Sequence, residues 1–469
     1  MSDKPELSKR PEQTYQDIIA NDASGAPDFL SHAHAPELGT APVAVERYWS
    51  TDFFQKENKY LWPRTWQMAC LTDEIAELGD CFYYEIADQS LIIVNTEDGI
   101  KAYYNSCLHR GRKLISNNCS KKEFVCPFHA ITWSLSGQIT HNPIAWDLPQ
   151  WNDENSRLPE ARVATWGGFV FICMDETAPD FETVAGPMIE QLEPYGWDNR
   201  HRSWWYEKRI KANWKVAQET FMESHHSQTT HPQLLSSIAD INSQYDFLNA
   251  YVSRHISAGA TASPTLDPYP DEHEKLQLMQ KRGDHRVEGI DLDNLPDDFS
   301  ARSHLSEHAR QSLSKQLDTD LSQAKDAEVL DYLLYAVFPN MAFWAGYGPK
   351  LVYRWRPEPG NPECSIMDIM WMEQLPEGQA RPKPSRKISL DYHDKMSLQK
   401  EGADSLKKVF DQDFSNIPHI QTGMKSSKSG EVHFTDYTER RIRFLHQFID
   451  QHISSGERGE PPPGIEFPD

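Results

Sequence analysis

The chain has 469 residues, 38% of them hydrophobic and 11% aromatic, which is enough apolar material for two or three packed units and unlike a disordered polymer. Its 70 acidic against 47 basic residues leave a formal charge of −23, which argues against general binding to nucleic-acid phosphates or to anionic lipid. No apolar leader opens the chain, no run of about 18 apolar residues suggests a spanning helix, and the odd set of seven cysteines fits a reducing, cytoplasmic setting.

Residues 1–45 are polar, contain Pro27, Pro36 and Pro42, and read as an arm laid on a larger body. From 46 to 178 the texture is that of a small β-rich domain. Two strand-like runs, Ser90–Thr96 and Ile100–Tyr104, flank Glu97-Asp98-Gly99, a hairpin signal because glycine takes the positive φ of tight turns. Trp166–Ile172 reads as a further buried strand. Residues 179–455 are mixed. A helix is expected over 211–230, ended by Pro232, which has no backbone donor. Residues 260–330 are very polar and too long for an ordinary loop, so they read as a partly helical insertion or lid. Leu351–Trp355 and Ser365–Met372 read as strands, and 435–452 as a last helix with Ile442, Leu445 and Ile449 on one stripe. The tail, 456–469, with Pro461-Pro462-Pro463, is expected to be extended and flexible.

Cys107 and His109 are followed, after sixteen residues from Arg110 through Val125, by Cys126 and His129. Two thiolates and two imidazoles can close a tetrahedral zinc site or divide between two irons. The spacing favours division: each loop offers one Cys and one His two or three residues later, whereas zinc fingers run Cys-Cys and then His-His. The pattern resembles the Rieske 2Fe–2S domain, and Arg110-Gly111, Pro127 and Trp133 match as well. Ala130 stands where a glycine is common, a change expected only to tighten local packing. Lys101, Arg110, Arg112, Lys113, Lys121 and Lys122 form a basic stretch without an acidic residue, read equally as a rim that steers an acidic electron donor or as an ordinary solvated face.

A second constellation follows Asn213-Trp214-Lys215. On a helix, Glu219, Glu223 and His226 fall on one face, and His231 lies within reach where the helix ends. Two imidazoles and a carboxylate on one face of an iron leave positions open for O2. This segment resembles the mononuclear-iron helix of Rieske non-haem iron oxygenases, the ring-hydroxylating α subunits. The resemblance implies that His226 and His231 bind iron, that Glu223 bridges to the cluster, and that Glu219 lies near the iron, while Thr220 replaces a common Asn. The bridging residue is more often Asp; Glu occurs in some branches, including ones acting on quaternary amines. His225 is out of register and is expected to be a neighbour. The family's downstream ligand Asp precedes a Gln by eight positions, which selects Asp413 ahead of Gln421, with Asp411 second and Asp368 third.

The resemblance implies an α+β chain: an N-terminal Rieske domain at 46–178 and, at 179–455, a catalytic domain with an antiparallel sheet flanked by helices, of helix-grip type. It implies a 2Fe–2S cluster, a mononuclear Fe(II), and electrons from NAD(P)H through a reductase and in some systems a ferredoxin. It further implies a homotrimer, with or without small β subunits, in which one subunit's cluster serves the next subunit's iron. The expected activity is hydroxylation or oxidative demethylation of an organic substrate, aromatic or polycyclic in the leading reading and a quaternary amine in the alternative. A Rieske electron-transfer protein without oxygenase activity, and a zinc-stabilised binding protein, are the readings from other classes.

Overall fold

The computed structural model describes residues 10–31, 34–152, 155–296 and 298–467, with only the backbone of His285. The first nine residues of the expected arm and the last two of the expected tail lie outside them. In the N-terminal half, a seven-stranded sheet runs in the order Gln67–Leu71, Phe169–Cys173, Glu160–Trp166, Gly99–Tyr104, Gln89–Thr96, Asp80–Ile86 and Cys119–Ser120. A three-stranded sheet, Glu123–Val125, Thr132–Ser134 and Ile139–His141, carries the second Cys-His pair between its first two strands. The expected hairpin closes with Thr96 opposite Gly99, whose φ is +97°. Trp166–Ile172 is not one strand. Gly167 and Gly168, at φ +58° and +82°, fold it into a hairpin with Trp166 opposite Phe169.

The C-terminal half is built on an eight-stranded sheet in the order Gln244–Phe247, Val252–Ser257, Tyr332–Val337, Met341–Ala345, Lys350–Glu358, Asn361–Gln374, Arg200–Ile210 and Lys387–Leu390. All pairings are antiparallel except the last. Side chains alternate faces along a strand, and here both faces are covered. Leu333, Tyr335, Phe343, Val352 and Met370 point into a core shared with Trp62, Met68 and Phe171 of the N-terminal half. Leu334, Ala342, Tyr353, Trp355 and Ile369 point the other way, onto a second core with Val216, Phe410 and Ile417. The sheet thus packs the β-rich domain on one face and helix Asp404–Met424 on the other.

The polar insertion contains helices Glu272–Lys281, Ala301–Leu317 and Asp326–Leu330 around a small core of their own. The last helix is Arg440–Glu457, later than expected, because Glu439 accepts the amide of Thr435 at 2.6 Å and holds that stretch in a turn. The tail is extended but docked rather than flexible. Tyr251 donates to Pro463 O at 2.6 Å, Ala250 N to Ile465 O at 2.9 Å, and Phe467 packs on Phe247 and Phe444. All seven cysteines are free, and no helix among the described residues is long and apolar enough to cross a membrane.

Candidate metal centres

Cys107 and Cys126 open two loops of the same construction. Cys107 N donates to Arg112 O at 2.9 Å and Gly111 N to Cys107 O at 2.8 Å; Cys126 N donates to Ile131 O at 2.8 Å and Ala130 N to Cys126 O at 2.9 Å. Four residues after its Cys, each loop turns through a left-handed residue, Gly111 at φ +70° and Ala130 at φ +58°. Ala130 is therefore more than a packing change: its Cβ crowds the backbone there, at a cost of about 1–2 kcal/mol. Amides of His109 and Arg110 face the first sulfur, and those of Phe128 and His129 the second. Burial pushes both thiols up, but at Cys126 these amides and Arg112 outweigh it and hold the thiol below its ordinary value.

The two thiols contact each other, and the rings of His109 and His129 lie 4.6 Å apart. The donors thus sort into a sulfur pair and an imidazole pair, the division a Rieske cluster requires. His109 Nδ1 is buried without a hydrogen-bond partner among the described residues, as a metal-ligating nitrogen would be. His129 Nε2 lies 2.7 Å from Arg110 Nη2, and that guanidinium stacks 4.3 Å from the Phe128 ring. Of the basic stretch, Lys101 and Lys113 are matched by Glu160 and Glu85, leaving Arg110, Arg112, Lys121 and Lys122 without an acidic partner among the described residues.

The expected helix over 211–230 is broken. Asn213 caps Trp214–Glu219 by accepting Lys215 N at 3.0 Å, and all six helical residues are buried. The chain then turns, because Glu223 Oε2 accepts His226 N at 3.0 Å in place of helical bonding, and a short helix resumes at Ser227–Thr230. Glu219 consequently does not share a helical face with Glu223 and His226. Its carboxylate accepts from Tyr48 at 3.0 Å and lies 2.9 Å from His446 Nε2, so it belongs to a buried network with Arg47 and Asp450 rather than to the metal donors. Lys215, fully buried, pairs with buried Glu57 at 2.7 Å and fastens this segment to helix Thr51–Tyr60. Removing either partner strands a buried charge, at about 3–5 kcal/mol.

Helix Asp404–Met424 supplies the other side. Its buried residues Phe410, Asp413, Ile417, Gln421 and Met424 recur every three or four positions, so Asp413 faces inward. Gln421 Oε1 accepts Asn213 N at 2.5 Å, tying the two helices in register. Asp411 faces elsewhere and accepts the amides of Met396 and Ser397 at 2.8 and 3.1 Å. Asp368 is spent inside the sheet: against burial, Arg354 and Arg356 hold its carboxyl at about 2, with Arg354 Nε 2.9 Å away.

His226, His231 and Asp413 converge, with one donor atom from each lying within 4.8 Å of the others. His226 Nδ1 contacts Glu223 Oε1 at 2.5 Å, and His231 Nδ1 contacts Gln412 Oε1 at 2.8 Å. With those nitrogens acting as donors, both Nε2 lone pairs aim at Asp413 Oδ1, from 3.7 Å for His226 and 2.8 Å for His231. Three acceptors pointed at one spot repel unless a cation lies among them, so the donor set fits a metal. Glu223 is buried, yet His225 and His226 hold its carboxyl well below the usual range. His225 is more than a neighbour: its Nδ1 lies 2.8 Å from Glu223 Oε2. Gln412 was not foreseen, since a glutamine beside an aspartate carries no metal-site signal of its own.

The family described as ring hydroxylating alpha subunit (catalytic domain) matches residues 195–455, and the Rieske 2Fe–2S domain matches residues 65–152. The chain belongs to the ring hydroxylating alpha subunit family. Its two domains imply a Rieske 2Fe–2S cluster and a mononuclear iron as cofactors, with a reductase as the usual electron source. The chain is 27% identical over 222 residues to the carnitine monooxygenase oxygenase subunit of Escherichia coli K12, covering 45% of this chain and 59% of that one. It is 24% identical over 240 residues to the glycine betaine monooxygenase oxygenase subunit of Pseudomonas aeruginosa PAO1, covering 50% and 55%. The match thus spans little more than half the length of these relatives. Among solved structures, the quaternary ammonium monooxygenase CntA with L-carnitine superposes at TM-score 0.58 and 16% identity, covering 90% of this chain and 99% of that one. A naphthalene 1,2-dioxygenase bound to phenanthrene does so at 0.59 and 19%, covering 90% and 94%. At such identities the likeness establishes the fold.

Proposed function

We propose that this chain is the terminal oxygenase component of a Rieske system, with Cys107, His109, Cys126 and His129 holding the cluster and His226, His231 and Asp413 the iron. The convergence of those three donors behind Glu223 carries the reading. When bound there, the cluster would supply single electrons and the iron would activate O2. The protein's part is to keep both histidines in the tautomer whose Nε2 faces inward, through Glu223 and Gln412, and to leave room beside the three donors for O2 and the substrate.

Assembly into a trimer would bring His129 of the partner subunit against Glu223. Both ends of that bridge have occupants within a single chain, Arg110 on His129 and His225 on Glu223. Docking therefore exchanges these contacts for the one between subunits. Arg110, Arg112, Lys121 and Lys122, without an acidic partner among the described residues, favour an acidic electron donor at the cluster.

A quaternary ammonium compound is the substrate class best supported. Relatives of this chain act on carnitine and glycine betaine, and Glu at the bridging position accords with them. Phe221 lies 5.4–6.1 Å from Tyr353, Trp355 and Phe410, and Tyr353 senses the charge of Asp413, so aromatic faces stand beside the triad. The same wall is the observation that keeps an aromatic substrate as the second reading. Oxygen uptake with a generic reductase decides between them: carnitine, glycine betaine and choline should stimulate it, and naphthalene should not. Stimulation by naphthalene alone would reverse the order, and none by any organic substrate in iron-replete protein would leave an electron-transfer protein.

A further inference from the structure

We propose that Cys81 and Cys119 form a peroxide-responsive dithiol that closes to a cross-strand disulfide, tying down the segment that joins the two cluster loops. The two residues are direct partners in the antiparallel pairing of Asp80–Ile86 with Cys119–Ser120. Opposed residues in such a pair share one face of the sheet with Cα atoms about 4.5–5.5 Å apart, inside the range a disulfide spans. The thiols contact each other, and Cys81 Sγ also donates to Gly79 O at 3.2 Å.

Their environments differ in the way a two-step oxidation needs. Cys81 is only 1% exposed; burial and its Cys119 neighbour push its thiol up to about 12. Cys119 is only partly buried, so a small oxidant in solvent can reach its sulfur first. Cys119 is thus the attacking thiol and Cys81 the resolving one. Neither belongs to the donor sets above, although Cys81 lies in the same apolar cluster as Cys107 and Cys126, with Cys119 packed at its edge.

Hydrogen peroxide is the oxidant. The Cys119 thiolate attacks one peroxide oxygen, the O–O bond breaks, and hydroxide leaves as water after taking a proton, giving a sulfenic acid. Cys81 sulfur then attacks Cys119 sulfur; the S–O bond breaks and a second water leaves with the Cys81 proton. Two thiols lose two electrons, and one peroxide becomes two waters. The edge strand Cys119–Ser120, only two residues long, becomes covalently fixed to its neighbour.

The test exposes the cluster-loaded protein to about one equivalent of peroxide, quenches in acid with an alkylating agent, and maps the peptides. A Cys81–Cys119 linked peptide that dithiothreitol releases, formed while the cluster absorption persists, is expected. In Cys81→Ser, dimedone should label Cys119; in Cys119→Ser, Cys81 should remain a free thiol. Both cysteines still alkylatable once the cluster colour fades would overturn the proposal, and so would a sulfenic acid at Cys81 in Cys119→Ser.

Discussion

The two cluster loops each present a Cys and a His within three residues, braced by backbone hydrogen bonds inside the same loop. The triad instead joins His231 to Asp413 across 182 positions, and its geometry depends on two helices packed on one face of a sheet. A site braced locally survives disturbance elsewhere, whereas a site assembled by packing inherits every weakness of the core that assembles it. The two centres of this chain should therefore fail separately.

The largest separation is expected from Asp413→Ala. It should empty the triad and abolish product formation while the visible spectrum of the cluster stays intact, as iron content per chain and absorbance would show; bleaching of the cluster would mean that the sites are not independent. Glu223→Gln should keep both metals and lower product formation by ~10–100-fold, because it removes the carboxylate that orients His226. Unchanged turnover would remove Glu223 from the electron path.

Acid should distinguish the halves more gently. His255 and His452, both in the C-terminal half, are buried and held neutral, with burial lowering each to about 3. The unfolded chain binds these protons near pH 6.5 and the folded chain does not, so their stabilisation is complete above that pH and is lost as pH falls toward 3. The slope is about 1.4 kcal/mol per pH unit for each histidine. His452 stacks on Phe338 with neither ring nitrogen bonded among the described residues. His452→Phe should accordingly flatten the pH dependence of thermal unfolding between pH 4 and about 6.5; an unaltered slope would refute this. The smallest effect is local to the cluster. Ala130→Gly should relieve the left-handed strain and stabilise the loop by roughly 1 kcal/mol, less what glycine loses in chain entropy. Slower iron release on heating would register it.

Much of the cluster site was legible because its determinants are local. Cys107, His109, Cys126 and His129 lie in two short loops. The turn at Ala130 was not legible, since alanine carries no mark of positive φ, nor was the one at Gly167-Gly168, where a hydrophobic run concealed it. In the catalytic half, helical periodicity carried Glu219 onto the face of Glu223, because periodicity cannot register a side chain that caps its own backbone. The docked tail was misread for a related reason: prolines announce extension but say nothing of the surface on which an extended chain lies.

The sequence by itself determined the family and the cofactor types, because metal-binding chemistry restricts a motif to a few residue types at close spacing. Spacing to Gln421 already ranked Asp413 ahead of Asp411 and Asp368, but only the tertiary structure shows where each of the three carboxylates points. Asp411 is spent on the amides of Met396 and Ser397, and Asp368 on Arg354. Asp413 is turned inward by the packed stripe of its helix to meet His226 and His231. A side chain's direction is set by what its whole element packs against, and that is a property of the assembled core.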